Sequence, residues 1–182
     1  VLNTLENMCG LIVQLPLPKH LNQQEVLDMI PLEKDVDALS SESFGLFALG
    51  RLSILPPTVG AVSLLFQENH IVLKGKNVAI VGAGRLVGLP LAIWCVREKA
   101  TVTAANEYTK DLASITKSAD ILISGVGKKG LITGEMIKKG AVVIDAGTSV
   151  EDGRSAGDMD FESVAKRAGF LTPVPGGVGP LT

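Results

Sequence analysis

Aromatic side chains are scarce here, at 4% of residues, which leaves few rings to stack on exposed bases and argues against a single-stranded nucleic-acid surface. A basic excess is missing as well. Seventeen Lys+Arg stand against nineteen Asp+Glu, a net charge of −2, whereas a protein that binds nucleic acid by neutralising phosphates carries a clustered positive surplus. No apolar run is long enough to span a membrane: Leu86 to Val96 covers eleven residues between Arg85 and Arg97, against the roughly 20 a spanning helix needs. Glu6 interrupts the start, and no basic stretch precedes it, so the pattern of a secretory signal is absent. Two cysteines cannot build a disulfide framework, and with two histidines, His20 and His70, far apart in polar stretches, no metal-ligand set forms. Cys9 and Cys95 both have apolar neighbours and are expected to be buried free thiols, which fits a reducing cytosol and a cytoplasmic protein.

What is present favours a well-filled core: 46% of residues are hydrophobic and mean hydropathy is +0.35. The 182 residues suit one domain, or one plus part of another. The chain opens on Val1 and stops at Thr182 within a Gly/Pro-rich turn, and is expected to be a fragment of something longer. Leu2 and Leu5 have helical spacing. Gly10–Leu15 reads as a buried strand stopped by Pro16 and Pro18, and Asn22–Ile30 as a helix ended by Pro31. A polar loop at Lys34–Ser43 leads to a helix over Ser43–Leu49, and Thr58 suits the N-cap of a helix over Val59–Glu68. Beyond Lys76, strands at VAIVGAG, ATVTAAN, ADILISGVG and AVVIDAG alternate with helical stretches at Leu86–Lys99, Asp111–Lys117 and Gly134–Lys139. Strand–helix alternation at this spacing implies right-handed βαβ units and a parallel sheet covered on both faces. A boundary falls near 52–57, dividing a leading part, 1–54, from a doubly wound α/β unit, 55–182.

The first of those strands runs into Gly82-Ala83-Gly84-Arg85-Leu86-Val87-Gly88. Alone, G-x-G is weak; between a strand and a helix in an α/β run it has the context of a dinucleotide-binding turn. Gly82 would permit the tight turn, and Gly84 would let backbone approach a pyrophosphate at a helix N-terminus. Gly88 comes one residue later than the third glycine of the common fingerprint. Gly82, Gly125 with Gly127, and Gly147 would line one edge of the sheet, the edge at which open α/β sheets bind ligands. Glu107, beyond the second strand, stands where a ribose 2′-hydroxyl is usually held; spacing alone suits a solvated loop glutamate equally well.

Three further features stand out. Gln14 interrupts an apolar strand, either as an orienting group or as a partner for loop backbone. Asp35 and Asp37, two apart, would face the same side if the segment were extended, a pairing that suits acid–base or metal chemistry, although no histidine or cysteine completes a metal site. Thr172–Thr182, TPVPGGVGPLT, has three prolines and three glycines, so it presents backbone more than side chains and reads as a ligand-facing loop.

Gly10-Leu11-Ile12-Val13-Gln14-Leu15-Pro16-Leu17-Pro18, Lys34-Asp35-Val36-Asp37 and Thr172-Pro173-Val174-Pro175-Gly176-Gly177-Val178-Gly179-Pro180 resemble the signature blocks of the bifunctional methylenetetrahydrofolate dehydrogenase/cyclohydrolases, and Ala119–Ser149 is similar to that family's dinucleotide domain. The resemblance implies a Rossmann-like domain plus part of an N-terminal α/β catalytic domain. It implies oxidation of 5,10-methylenetetrahydrofolate with NADP or NAD, then hydrolysis of the methenyl product to 10-formyltetrahydrofolate. By the family's pattern Gln14 contacts folate and the catalytic lysine, Asp37 reads the pterin, and Pro175 and Gly176 touch folate. Thr58, Thr148 and Thr182 fall at the family's cofactor-contact positions, alongside Gly82, Ala83, Gly84, Arg85 and Glu107, which the glycine turn and its spacing already put on the cofactor side. Homodimerisation through the dinucleotide domain is implied too, with no metal, membrane or nucleic-acid partner.

The sequence departs from the family in places. The Y-x-x-x-K lysine is absent and would lie upstream of Val1, so a truncated, itself inactive portion of an enzyme is expected; a non-catalytic dinucleotide binder that has lost the lysine is the competing reading. Where the family carries Arg-Ser to hold a 2′-phosphate, Ala83-Gly84 stand here with Arg85 displaced, and His-Ser after the second strand is Asn106-Glu107. Losing a cation and gaining an anion favours NAD. The glycine that usually follows KDVD is Ala38.

Overall fold

The computed structural model describes residues 8–151 and 153–182, so the helical spacing at Leu2 and Leu5 lies outside the described residues. The chain divides into two units, Val1–Pro57 and Thr58–Thr182.

In the leading unit, α1 (Gln23–Asp28) starts where Asn22 turns its side-chain oxygen on the N–H groups of Gln24 and Glu25, satisfying donors that a helix end leaves orphaned. A 3-10 turn (Leu32–Lys34) follows Pro31. α2 (Ser41–Ala48) begins two residues earlier than expected, because Ser40 supplies the cap by accepting from Ser43 N–H. Leu27, Ile30 and Leu39 form the buried cluster, with Leu11, Val13 and Leu15 packed on it. Gly10–Leu15 is not the buried strand expected. It makes a single parallel bridge, Leu11 to Asp35, and side chains alternate: Leu11, Val13 and Leu15 lie half-buried while Gln14 is exposed and Ile12 is 69% exposed. The segment packs one face on Leu27, Ile30 and Leu39, and period-two alternation then sends every second side chain to solvent.

The second unit, whose first helix α3 (Pro57–Glu68) starts on the last residue of the leading unit, continues in order with β1 (Asn77–Val81), α4 (Gly88–Arg97), β2 (Thr101–Ala105), α5 (Leu112–Ser118), β3 (Ile121–Ser124), a 3-10 turn (Gly134–Met136), β4 (Val142–Asp145), a hairpin of β5 (Ser149–Glu151) and β6 (Arg154–Ala156), α6 (Phe161–Ala165) and β7 (Phe170–Leu171). The five-stranded sheet has the order β2-β1-β3-β4-β7, and each of its pairings is parallel. β3 is buried throughout, and β1 beyond its first residue, as near-continuous apolar strands between two helical layers should be. Ala79, Val81, Leu122, Ile132, Val143 and Val164 form the main core, and the rings of Phe66 on α3 and Trp94 on α4 meet at 5.8 Å.

Several readings shift. Pro57 takes the first helical position, where its missing N–H costs nothing, so Thr58 lies inside α3 and does not cap it. α4 begins at Gly88, two residues after the expected start. The hairpin, α6 and β7 were not legible: none is longer than five residues, and β7 has two. Cys95 is buried on α4, where loss of water and then the nearby Glu98 charge push its thiol up to about 12. Cys9, expected to be buried, is exposed, since the segment that carries it is bridged at one point alone. Among the described residues no helix is long and apolar enough to cross a membrane, and no cluster of three or more His, Cys, Asp or Glu suits a metal ion.

Candidate functional site

The ladder brings the strand exits to one level. Val81 pairs with Ala105 on one side and Ser124 on the other, and Ser124 pairs with Asp145. Backbone bonds continue past the strands: Gly82 N–H donates to Ala105 C=O at 2.9 Å, Gly125 N–H to Val81 C=O at 2.9 Å, and Ala146 N–H to Ser124 C=O at 2.8 Å. The glycine edge anticipated from the sequence is therefore continuous. Gly82 has φ +88°, and a Cβ there would sit 2.9 Å from the Gly125 carbonyl oxygen. At Gly88 a Cβ would run into the Gly82 carbonyl. Gly88 thus does what the third fingerprint glycine does, seating the helix directly on the strand exit, despite its one-residue offset.

Ala83 and Gly84 are exposed at the head of α4 and Arg85 is half-buried. α4 has no side-chain cap. On the neighbouring exit, Tyr108 N–H donates to Asn106 Oδ1 at 3.0 Å and Asn106 N–H to Thr109 Oγ1 at 3.0 Å, a turn that leaves Glu107 exposed two residues past Ala105, whose carbonyl accepts from Gly82 N–H.

Farther along the same edge, a cavity of about 310 Å³ is lined by Thr58, Asp145, Thr148, Thr182 and the loop from Pro173 to Pro180, including Pro175 and Gly176. Five sequence-predicted residues from three separate stretches, Thr58, Thr148 and the Thr172–Thr182 loop, thus meet in one hollow. The Val174–Pro175 peptide is cis and Gly176 has φ +101°. The loop is tied to the sheet through Thr172: its N–H donates to Val143 C=O at 3.2 Å, and its Oγ1 accepts from Asp145 N–H at 2.8 Å.

Sequence reasoning passed over two carboxylates here, Asp145 in the cavity lining and Asp158 behind it. Asp145 is 3% exposed and accepts from Gly147 and Asp158 N–H, each at 3.1 Å, and from Met159 N–H at 2.9 Å. Burial raises its pKa, and the neighbouring Asp158 adds to the rise, while the three N–H bonds oppose it. Asp158, fully buried, accepts from Ser124 Oγ at 2.6 Å and from Val126 and Lys128 N–H at 2.7 Å each. The available signal was a single aspartate closing an otherwise apolar strand, VVID; a buried acid must be satisfied by nearby donors.

In the leading unit, Gln14 is exposed and its side-chain amide donates to Leu15 C=O at 3.0 Å. Asp35 and Asp37 do not share a face, because the 3-10 turn and the bridge at Asp35 break the extended run. Asp35 turns inward, 1% exposed, and accepts from Leu39 N–H at 3.1 Å and Ser40 N–H at 2.8 Å. Asp37 is half-buried, and its carboxylate accepts no hydrogen bond among the described residues; burial raises its pKa and the Asp35 charge adds to that. Ala38 has φ 54°, which explains why a glycine suits that position.

The two aspartates predict opposite behaviour. At Asp35 burial pushes the pKa up, but the bonds from Ser40 and Leu39 outweigh it and the net direction is down from 3.8. The folded value lies below the unfolded one, so the stabilisation is complete above pH 3.8 and is lost as pH falls through the folded value. Asp35→Asn is expected to cost about 1–3 kcal/mol at neutral pH, the difference closing in strong acid. Urea melts of both proteins across that range check it, and a gap independent of pH would refute it.

Both units have matches among known proteins. Residues 56–182 match the model for the tetrahydrofolate dehydrogenase/cyclohydrolase NAD(P)-binding domain, and residues 1–37 that for the tetrahydrofolate dehydrogenase/cyclohydrolase catalytic domain. The chain is 49% identical to bifunctional protein FolD of Hydrogenobaculum sp. over 183 residues, covering 100% of this chain and 66% of that protein. It superposes on the crystal structure of FolD from Campylobacter jejuni with TM-score 0.95 at 40% identity, covering 99% of this chain and 64% of that one. Against the Trypanosoma brucei enzyme, complexed with NADP cofactor and inhibitor, the TM-score is 0.94 at 40% identity, covering 99% and 64%. The chain thus spans about two thirds of the length of these relatives. With a parallel sheet whose glycine exits and proline-bounded loop are matched throughout by the family's nucleotide-binding domain, this chain belongs to the tetrahydrofolate dehydrogenase/cyclohydrolase family.

Proposed function

We propose that this chain takes part in oxidising 5,10-methylenetetrahydrofolate to the methenyl compound with a nicotinamide dinucleotide, and in hydrolysing that product to 10-formyltetrahydrofolate. The observation that carries the reading is the hollow in which Thr58, Thr148, Thr182, Pro175 and Gly176 meet at the carboxyl edge of a parallel sheet. The residues fit a dinucleotide: an uncapped helix head behind Gly82-Ala83-Gly84 suits a pyrophosphate, and Glu107 on the adjoining exit suits a ribose diol. Bound nicotinamide would accept the hydride. The protein's part is to fix the two rings, work that orientation alone can reward with about 7–11 kcal/mol.

In this reading Asp37 accepts from the amino and ring N–H groups on one edge of the pterin. Its free carboxylate suits that role, whereas Asp35 is committed to its own backbone. Gln14, exposed, is available to orient folate, and Pro175 and Gly176 offer backbone to it. Hydrolysis additionally needs a proton-transfer group, the part the family assigns to the Y-x-x-x-K lysine.

NAD is the proposed cofactor over NADP. Ala83 and Gly84 bring no charge to a 2′-phosphate, Arg85 already has an interaction of its own, and Glu107 would repel the phosphate. A homodimer through the second unit is also proposed, supported by Val150, 72% exposed on β5, and Phe161, half-exposed; light scattering reads it directly.

Calorimetric titration tests the core of the proposal. NAD is expected to bind about tenfold more tightly than NADP, a difference of about 1.4 kcal/mol, and Glu107→Ser is expected to narrow it. Tetrahydrofolate is expected to raise the melting temperature, and Asp37→Ala to remove that rise. A clear NADP preference rejects the cofactor assignment, and an Asp37→Ala protein still stabilised by tetrahydrofolate rejects the role of Asp37.

A further inference from the structure

We propose that Asp158, which has no access to the cavity itself, is a positioning residue that sets the nicotinamide half of the dinucleotide site by clamping the exits of β3 and β4 together. The inference rests on the nucleotide reading above.

A carboxylate only accepts, and Asp158 is filled from one side by the exit of β3: Ser124 Oγ on Oδ2 at 2.6 Å, Val126 N–H on Oδ2 at 2.7 Å and Lys128 N–H on Oδ1 at 2.7 Å. Such short bonds to a charged acceptor are the strong kind, and burying the charge is tolerable because of them. They turn the N–H groups of Val126 and Lys128 away from the edge. On the other side the Asp158 carboxyl packs against Gly147, where a Cβ would collide with it, so the exit of β4 also rests on this carboxylate. The two exits touch in turn, since a Cβ on Gly127 would lie 3.3 Å from the Thr148 carbonyl oxygen. Asp158 itself is held by Asp145, whose Oδ1 takes both the Asp158 and Gly147 N–H groups. Asp145 N–H ends on Thr172 Oγ1, at the root of the proline-bounded loop. One chain of contacts, Ser124–Asp158–Asp145–Thr172, therefore joins the exits of β3, β4 and β7. The exits of β1 and β2, where the adenosine half would lie, supply no residue to it, and meet it only where Gly82 packs against Gly125 and Val126.

This asymmetry makes the proposal testable by comparing ligands. Asp158→Asn keeps the shape but replaces one acceptor with an NH₂ that faces an N–H, so the exit of β3 must move. NAD, which reaches over those exits, is expected to bind about tenfold more weakly, while AMP, confined to the β1 and β2 exits, changes by less than about twofold. Ser124→Ala, which withdraws one hydroxyl and nothing else, is expected to weaken NAD about threefold with AMP unchanged, and serves if Asp158→Asn does not fold. Titrations of the folded chain with both ligands, with near-UV circular dichroism as the check on folding, give the ratio. A constant ratio of NAD to AMP affinity in both variants overturns the positioning role. So does a parallel loss of both ligands, which marks a merely structural residue. If the parent chain binds neither ligand, the nucleotide reading itself falls, and this inference with it.

Discussion

Adding a single methyl group at Gly88 is expected to cost this protein much of its stability, while the same change at Gly84 leaves folding intact and weakens nucleotide binding. At Gly88 the new Cβ falls on the Gly82 carbonyl, close to the Gly82 carbon and Ala83 Cα as well. Those atoms are backbone and cannot rotate away, so α4 must lift from β1, opening a core in which Val81 and Leu91 are buried. Overpacking of this kind costs about 1–3 kcal/mol and more where backbone has to shift; a loss of about 3 kcal/mol would lower the melting temperature by roughly 10 °C. Gly84 has open space around its Cβ position and is exposed. Its alanine variant should melt within about 2 °C of the parent yet bind NAD about tenfold less tightly, because a methyl group blocks the approach of a pyrophosphate to backbone. Thermal melts and NAD titrations of both variants separate the roles. Unchanged melting of Gly88→Ala would refute the steric argument, and parental NAD affinity in Gly84→Ala would refute the pyrophosphate assignment.

The second large effect is expected in the leading unit. Leu27 is fully buried, and its cluster holds two other buried side chains, Ile30 and Leu39. Leu27→Ala should cost about 2–5 kcal/mol through lost transfer energy and the cavity left behind. A core this small has little to spare. Hydrogen exchange is the measurement: amides of α1 and α2 should lose protection while those of β1, β3 and β4 keep theirs. Uniform loss along the chain would mean that the two units unfold as one and would reject the prediction of local failure.

The alternation of apolar strands with helices, and the glycines closing those strands, were enough to identify a parallel α/β sheet and the edge on which the candidate site is proposed. Both are matters of local pattern: strands buried on both faces must be apolar throughout, and tight exits must lack a Cβ. Glu107 was singled out by its spacing beyond the glycine turn and the Thr172–Thr182 loop by its prolines and glycines, whereas Thr148 was named by the family resemblance alone. Short elements escaped. β7 has two residues and exists because Val142 and Val143 offer it a ladder, not because Phe170-Leu171 has a pattern of its own. Gly10–Leu15 erred the other way, since an apolar run states what a segment prefers and says nothing of how many neighbours it finds.

Sequence by itself settled the fold class, the glycine edge and the family, because each depends on residues near one another in the chain or on long specific blocks. Tertiary structure alone decided which aspartates serve the scaffold. Asp35 and Asp37 are two residues apart and differ in a single turn of backbone, which gives one its hydrogen bonds and leaves the other without any among the described residues. Ser124, Asp145, Asp158 and Thr172 are spread over almost fifty residues and converge behind the rim. A hydrogen-bond donor's reach is about 3 Å in space whatever its distance along the chain, so no spacing rule could have brought those four together.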